Sequence, residues 1–153
     1  MNKKEHWENV FATKNETEVS WFQKKPERSL DFIENLGIAK DAKIIDIGGG
    51  DSYLIDVLLK NGYTNLTLLD ISANAIERIK KRLGSSAEKV TFVVSDILDF
   101  NPIETYHLWH DRASFHFITE QNQIKAYSNL VAKAIAKEGK IVIGTFSENG
   151  PKK

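Results

Sequence analysis

Two sets of residues in this chain have the types and spacing that could do chemistry. The first is a series of carboxylates, each at the end of a short apolar run: Asp46 just before Gly48-Gly49-Gly50, Asp70 after Leu66-Thr67-Leu68-Leu69, and Asp96 after Val90 to Val94. Glycines let a backbone approach a ligand closely, and a helix opening after them directs its first N–H groups outward, so the first acid and its loop suit a polar, nucleotide-like cofactor. The second set is His110-Asp111-Arg112-Ala113-Ser114-Phe115-His116-Phe117, the densest titratable cluster in the sequence. A histidine titrates near neutrality and a carboxylate beside it can orient it, so His110 and Asp111 are candidate catalytic groups for accepting a proton or orienting a substrate. His116, set among phenylalanines, also fits a half-buried structural histidine, and Asp111 with Arg112 also fits a plain ion pair.

These residues need a scaffold, and the apolar periodicity supplies one. Pro26 suits a first helical turn, with Leu30, Ile33 and Leu36 recurring until Gly37 caps the helix. Lys43 to Ile47 reads as a strand, and Tyr53, Leu54, Ile55, Val57 and Leu58 give the next helix its buried face before Asn61-Gly62. Leu66 to Asp70 is a second strand. Ser72 then caps a helix with Ala73, Ile76, Ile79 and Leu83 on one side and Arg78, Lys80, Lys81 and Arg82 crowding its C-terminal half. Those cations suit the helix dipole and solvent, with phosphate binding as the functional alternative. Val90 to Val94 is a third strand, and Tyr106 to Asp111 a fourth, less apolar one. Thr119 caps a long helix carrying Ile124, Tyr127, Leu130, Val131, Ala134 and Ile135, with Gly139 past its end, and Lys140 to Phe146 is a fifth strand. Strands alternating with helices predict an α/β, Rossmann-like, doubly wound and mostly parallel sheet with helices on both faces, and a ligand at the carboxyl ends of the strands.

Composition narrows the field. The chain has 153 residues, enough for one core, with no repeat or compositional break. Acidic and basic residues balance at 21 each, so no global field recruits nucleic acid or an anionic membrane. There is no cysteine, which removes disulfides, thiolate metal sites and a cysteine nucleophile, and no metal site is expected. No apolar run is long enough to span a bilayer and no signal-like segment opens the chain, so the expectation is a cytoplasmic protein.

Spacing discriminates between cofactor loops. A Gly-x-Gly-x-x-Gly dinucleotide loop would need glycine where Tyr53 stands, and no Gly-Lys-Ser/Thr follows for a P-loop. Acidic-x-Gly-x-Gly-x-Gly is matched by Asp46, Gly48 and Gly50, with Ser52 replacing the last glycine. In this the sequence resembles the class I S-adenosylmethionine-dependent methyltransferases. The resemblance implies that Asp46, Gly48, Gly49 and Gly50 form the cofactor loop, that Asp70 with Ile71 meets the ribose hydroxyls, and that Asp96 with Ile97 meets the adenine. Each acid keeps a second role: Asp46 could tie down its own loop, and Asp96 could make an ordinary turn.

Trp7, the segment Val19-Ser20-Trp21-Phe22-Gln23 and His110-Asp111-Arg112-Ala113 resemble a subgroup near the elongation-factor lysine methyltransferases and thiopurine-type enzymes. That likeness implies residues 1–25 as an aromatic arm or lid with Trp7 and Trp21 on the cofactor, and 26–153 as the cofactor-binding core. The arm's aromatics could equally staple the terminus to the core. The implied activity is in-line methyl transfer to an acceptor that the sequence does not name, a protein side chain or a small molecule, with a base needed only for a protonated acceptor such as a lysine. Members of this class add a helix and an antiparallel strand pair after the fifth strand, and the sequence ends before them, so a C-terminally short chain, a fragment, or a homodimer through the exposed strand-five edge is expected. A non-catalytic module acting through a partner at that edge is the alternative function, and a nicotinamide oxidoreductase the remaining one.

Overall fold

The computed structural model describes residues 27–48, 53–111 and 118–143, together with Lys4. The elements are α1 (Glu27–Asn35), β1 (Ile44–Ile47), α2 (Leu54–Lys60), β2 (Leu66–Asp70), α3 (Ala73–Leu83), β3 (Val90–Val94), β4 (Tyr106–Asp111), α4 (Gln121–Ala134) and β5 (Ile135–Ile143), with 3₁₀ turns at Gly84–Lys89 and Ile97–Asp99. The strands form one five-stranded sheet in the order β3-β2-β1-β4-β5. Every pairing among the described residues is parallel. Ile44 to Ile47 pair with Leu66 to Leu69 on one side and with Leu108 to Asp111 on the other, so the strand order reverses at β1. A parallel sheet needs helical cover on both faces.

Alternation along the strands divides the core in two. Ile44, Leu66, Leu68 and Leu108 face Leu30 and Ile33 of α1, Leu54, Ile55 and Leu58 of α2, and Ile76 and Ile79 of α3. Ile45, Ile47, Leu69 and Trp109 face the opposite way, against Tyr127, Val131 and Ala134 of α4 and Ile97. The expected doubly wound fold is therefore present, and the two-residue period sends Asp46 and His110 to the α1 side and Asp111 to the α4 side.

Several local expectations shift. Leu36 lies beyond α1 and is 38% exposed. Six residues on from Leu30 a helix has turned about 240°, which carries Leu36 off the buried face, while Gly37 closes the turn with φ of 67°. Ala75, not Ala73, joins Ile76 and Ile79 inside, because the turn held by Ser72 Oγ, which accepts from the Ala75 N–H at 3.1 Å, fixes the phase of α3. The N-cap of α4 is Glu120, with no side-chain cap bond, in place of Thr119. Its last residue is Ala134, and Ile135 already pairs with Tyr106, so β5 begins before Gly139. Sheet pairing there wins over helical periodicity, and a register shift between Tyr106 and Leu108 absorbs the extra residues. The position of Gly139 explains its type, since a Cβ would come within 2.9 Å of the Ala136 carbonyl oxygen.

Candidate functional site

The carboxyl ends of β1, β2, β3 and β4 bring Asp46, Asp70, Asp96, His110 and Asp111 to one edge of the sheet, around the switch point between β1 and β4. Gly48 follows β1 with φ of 69°, a left-handed conformation that glycine adopts without a Cβ penalty. Its N–H donates to the Leu69 carbonyl at 2.7 Å, which ties the start of the loop to β2.

Asp46 is 2% exposed. Its Oδ1 is 2.9 Å from His110 Nδ1, the two residues being paired in register across β1 and β4. Its Oδ2 is buried and has no hydrogen-bond partner among the described residues. His110 Nε2 is 2.8 Å from Ser29 Oγ on α1, so both ring nitrogens of this buried histidine are engaged by the protein. Ser29 carried a readable signal: four residues before Ile33, it lies on the buried face of α1.

Asp111, fully buried, faces the other way. Tyr127 Oη donates to its Oδ2 at 2.6 Å, and Trp109 Nε1 donates to that hydroxyl at 3.0 Å. Burial first, and then the negative charge and hydrogen bond of Asp111, push the Tyr127 phenol well above its ordinary pKa, against a smaller opposing effect of the Trp109 N–H. His110 and Asp111 are thus neighbours in sequence that belong to separate networks on opposite faces.

Asp70 is 4% exposed, and its Oδ1 accepts the Ser72 N–H at 2.9 Å while Ser72 caps α3. Its carbonyl accepts the Ser95 N–H at 2.9 Å, so the ends of β2 and β3 are tied together. Asp96 Oδ1 accepts the Leu98 N–H at 3.1 Å and opens the 3₁₀ turn, the turn-making role that the sequence allowed beside the functional one. Ile97 is buried against the α4 side and Ile71 is half-buried beside Asp70.

Lys80 and Arg82 of α3 have structural partners, and Lys80 Nζ lies 3.6 Å from Glu77 Oε1. Arg82 makes a two-pronged pair with Asp56 of α2, Nε to Oδ2 at 2.9 Å and Nη2 to Oδ1 at 2.7 Å, and lies 4.2 Å from the centre of the Tyr53 ring. That clamp secures the start of α2, where the chain leaves the glycine loop. Trp7, Trp21, Gly49, Gly50, Ser52, Arg112 and His116 lie outside the described residues, as do the arm over residues 1–25, apart from Lys4, and everything after Ile143.

The sequence profile described as "Methyltransferase domain" matches residues 44–139, from the first residue of β1 into β5. Malonyl-[acyl-carrier protein] O-methyltransferase 1 of Ilyobacter polytropus is 31% identical over 111 residues, covering 72% of this chain and 40% of that protein. Human EEF1A lysine methyltransferase 2 is 26% identical over 133 residues, covering 78% of this chain and 55% of that protein. The chain thus spans about half or less of the length of these curated relatives. Among solved structures, the glycopeptide N-methyltransferase MtfA complexed with S-adenosyl-L-methionine superposes with a TM-score of 0.70 at 17% identity, over 85% of this chain and 58% of that one. The N-methyltransferase NodS from Bradyrhizobium japonicum, in complex with S-adenosyl-L-homocysteine, gives 0.71 at 16% identity, over 93% and 72%. With the profile matched over more than half of its length, a range that spans the four acids and the one imidazole at the strand ends, the chain belongs to the methyltransferase domain family.

Proposed function

We propose that this protein binds S-adenosylmethionine at the carboxyl ends of β1 to β3 and transfers its methyl group to an acceptor brought to the end of β4. The observation that carries this reading is the buried Asp46 Oδ2, which has no hydrogen-bond partner among the described residues, beside the left-handed Gly48 at the switch point. A buried carboxylate oxygen without a donor is costly, and a ligand ammonium supplies one. The residues present fit the cofactor in kind: Asp46 for its amine, Gly48 for backbone approach, Asp70 with Ile71 for the ribose hydroxyls, and Asp96 with Ile97 for the adenine. Gly49, Gly50, Trp7 and Trp21 complete the proposed contacts.

When bound, S-adenosylmethionine would supply an electrophilic methyl carbon with a thioether as its leaving group, open to displacement by an acceptor lone pair. The chain's own contribution is alignment and exclusion of water, which together can account for much of the barrier reduction. Tyr127 fixes Asp111, and Asp46 with Ser29 fixes His110, at the end of β4 where the acceptor is proposed to sit. The relatives' names include an O-methyltransferase acting on a carrier-protein substrate and lysine methyltransferases, so the acceptor class proposed here stays a protein side chain or a small molecule. Among the described residues no helix is long and apolar enough to cross a membrane, and with no cysteine and balanced charge the proposed compartment is the cytoplasm.

Retention of radiolabelled S-adenosylmethionine tests the reading. Saturable binding displaced by S-adenosylhomocysteine and unaffected by reduced nicotinamide cofactor is expected, and the reverse pattern refutes it. A second reading, a non-catalytic module or homodimer joined through β5, is favoured by Ile141 and Ile143, which are 48% and 41% exposed on that edge strand. Sedimentation showing a stable dimer without cofactor affinity supports it over the first.

A further inference from the structure

Ser29, His110 and Asp46 form an unbroken buried series of hydrogen bonds from α1 to the end of β1, with exposures of 6%, 2% and 2%. The chemistry of the partners fixes the protons. A carboxylate accepts only, so in the neutral imidazole Nδ1 carries the hydrogen and donates to Asp46 Oδ1. Nε2 is then the acceptor, and the Ser29 hydroxyl donates to it. One oxygen of Asp46 is thereby held by the protein while the other, Oδ2, has no partner among the described residues.

The same three residue types in the same order make an acyl-transfer triad, with the carboxylate on Nδ1 and the serine on Nε2. Placement separates the two readings. Ser29 lies on α1 with its Oγ turned onto His110 inside the α1–sheet interface, whereas Asp46 lies at the carboxyl end of β1, two residues from Gly48 where the loop begins.

The geometry points to Ser29 and His110 as positioning residues that lock the Asp46 carboxylate so that Oδ2 is presented to the ammonium of the cofactor's amino-acid portion. This rests on the cofactor reading above and adds to it a helix residue remote in sequence from the glycine loop. Without the hydroxyl, the imidazole is free to rotate or to exchange tautomers, and Asp46 loses its fixed orientation. Discrimination for the amino-acid portion falls while the adenosine contacts at Asp70 and Asp96 are untouched.

The test compares two ligands that share the adenosine thioether and differ in the amino-acid portion: S-adenosylhomocysteine and 5′-methylthioadenosine. Ser29→Ala is expected to weaken S-adenosylhomocysteine about tenfold, the order set by one buried hydrogen bond, and to leave methylthioadenosine within about twofold. Ser29→Thr, which keeps the hydroxyl, restores the difference. Nitrogen-15 NMR of the ligand-free protein, with the imidazole neutral, should show the Nδ1–H tautomer and an Nε2 resonance that moves toward the unbonded position in Ser29→Ala. Equal weakening of both ligands, an Nε2–H tautomer, or covalent labelling of Ser29 by a fluorophosphonate overturns the inference. Should Ser29→Ala not fold, the threonine variant and the wild-type tautomer still decide it. Wild-type protein that binds neither ligand overturns the cofactor reading and the inference with it, whereas wild-type binding with an unchanged ratio in Ser29→Ala overturns the inference alone.

Discussion

Replacing Tyr127 with phenylalanine removes a single oxygen from the part of the molecule that fixes the end of β4. The ring is retained, and with it the edge-on contact with Trp109, whose centroid lies 6.1 Å away at 88°. What is lost is the hydrogen bond to Asp111 Oδ2 at 2.6 Å and the acceptor for Trp109 Nε1 at 3.0 Å. Trp109, Tyr127 and Asp111 are at most 1% exposed, so water has no ready access to replace the hydroxyl. A bond to a carboxylate contributes about 2 kcal/mol and an orphaned buried N–H costs about 1 kcal/mol more, so the variant should lose about 3 kcal/mol of stability. For a chain of this size that corresponds to a Tm lower by about 6–12 °C. Urea unfolding followed by tryptophan fluorescence measures it, with the denaturant slope unchanged because the folded surface is the same. A loss below about 1 kcal/mol would show that the Trp109–Tyr127–Asp111 network does not hold β4 as described.

Two further outcomes follow from the same geometry. Burial raises the pKa of both Tyr106, where Glu104 adds to the effect, and Tyr127 above the ordinary 10.0, so the unfolded chain releases these protons first. Their contribution to stability is fully present below about pH 10 and is lost as the pH climbs toward the folded-state values. Absorbance at the phenolate band should therefore show these two tyrosines ionising together with unfolding, and in Tyr127→Phe the alkaline loss of stability should be shallower. At Gly48, where φ is 69°, alanine should cost about 1–2 kcal/mol and weaken cofactor binding as well, readable by thermal melts with and without S-adenosylhomocysteine.

The strand ends were legible because each combines two local signals, a β-branched or leucine-rich run and an acid or glycine that stops it. That is how Asp46, Asp70 and Asp96 could be placed on one edge before any contact was known. Strand rank was not legible: Val90 to Val94, the more apolar run, forms an edge strand with Val94 46% exposed, while the polar-looking Tyr106 to Asp111 is nearly all buried between β1 and β5. Its histidine, tryptophan and aspartate are tolerated inside because Ser29, Asp46 and Tyr127 satisfy them, partners up to 81 residues distant. His110 and Asp111 read together as one catalytic cluster, yet the two-residue strand period sends them to opposite faces. The start of β5 was hidden for a related reason, since Ile135 continues the helical pattern of α4 and only its pairing with Tyr106 makes it a strand. Nothing in local propensity reports such a partner.

Asp46, Asp70 and Asp96 at the strand ends are proposed to form the site for the adenosyl cofactor. Calorimetric titration with S-adenosylhomocysteine tests it most directly, because the ligand carries every group assigned to Asp46, Asp70 and Asp96 and needs no acceptor. One-site binding is predicted, weakened by about tenfold or more in Asp70→Ala, as expected for loss of hydrogen bonds to a charged group. A folded sample giving no heat with ligand at about 1 mM would contradict the account.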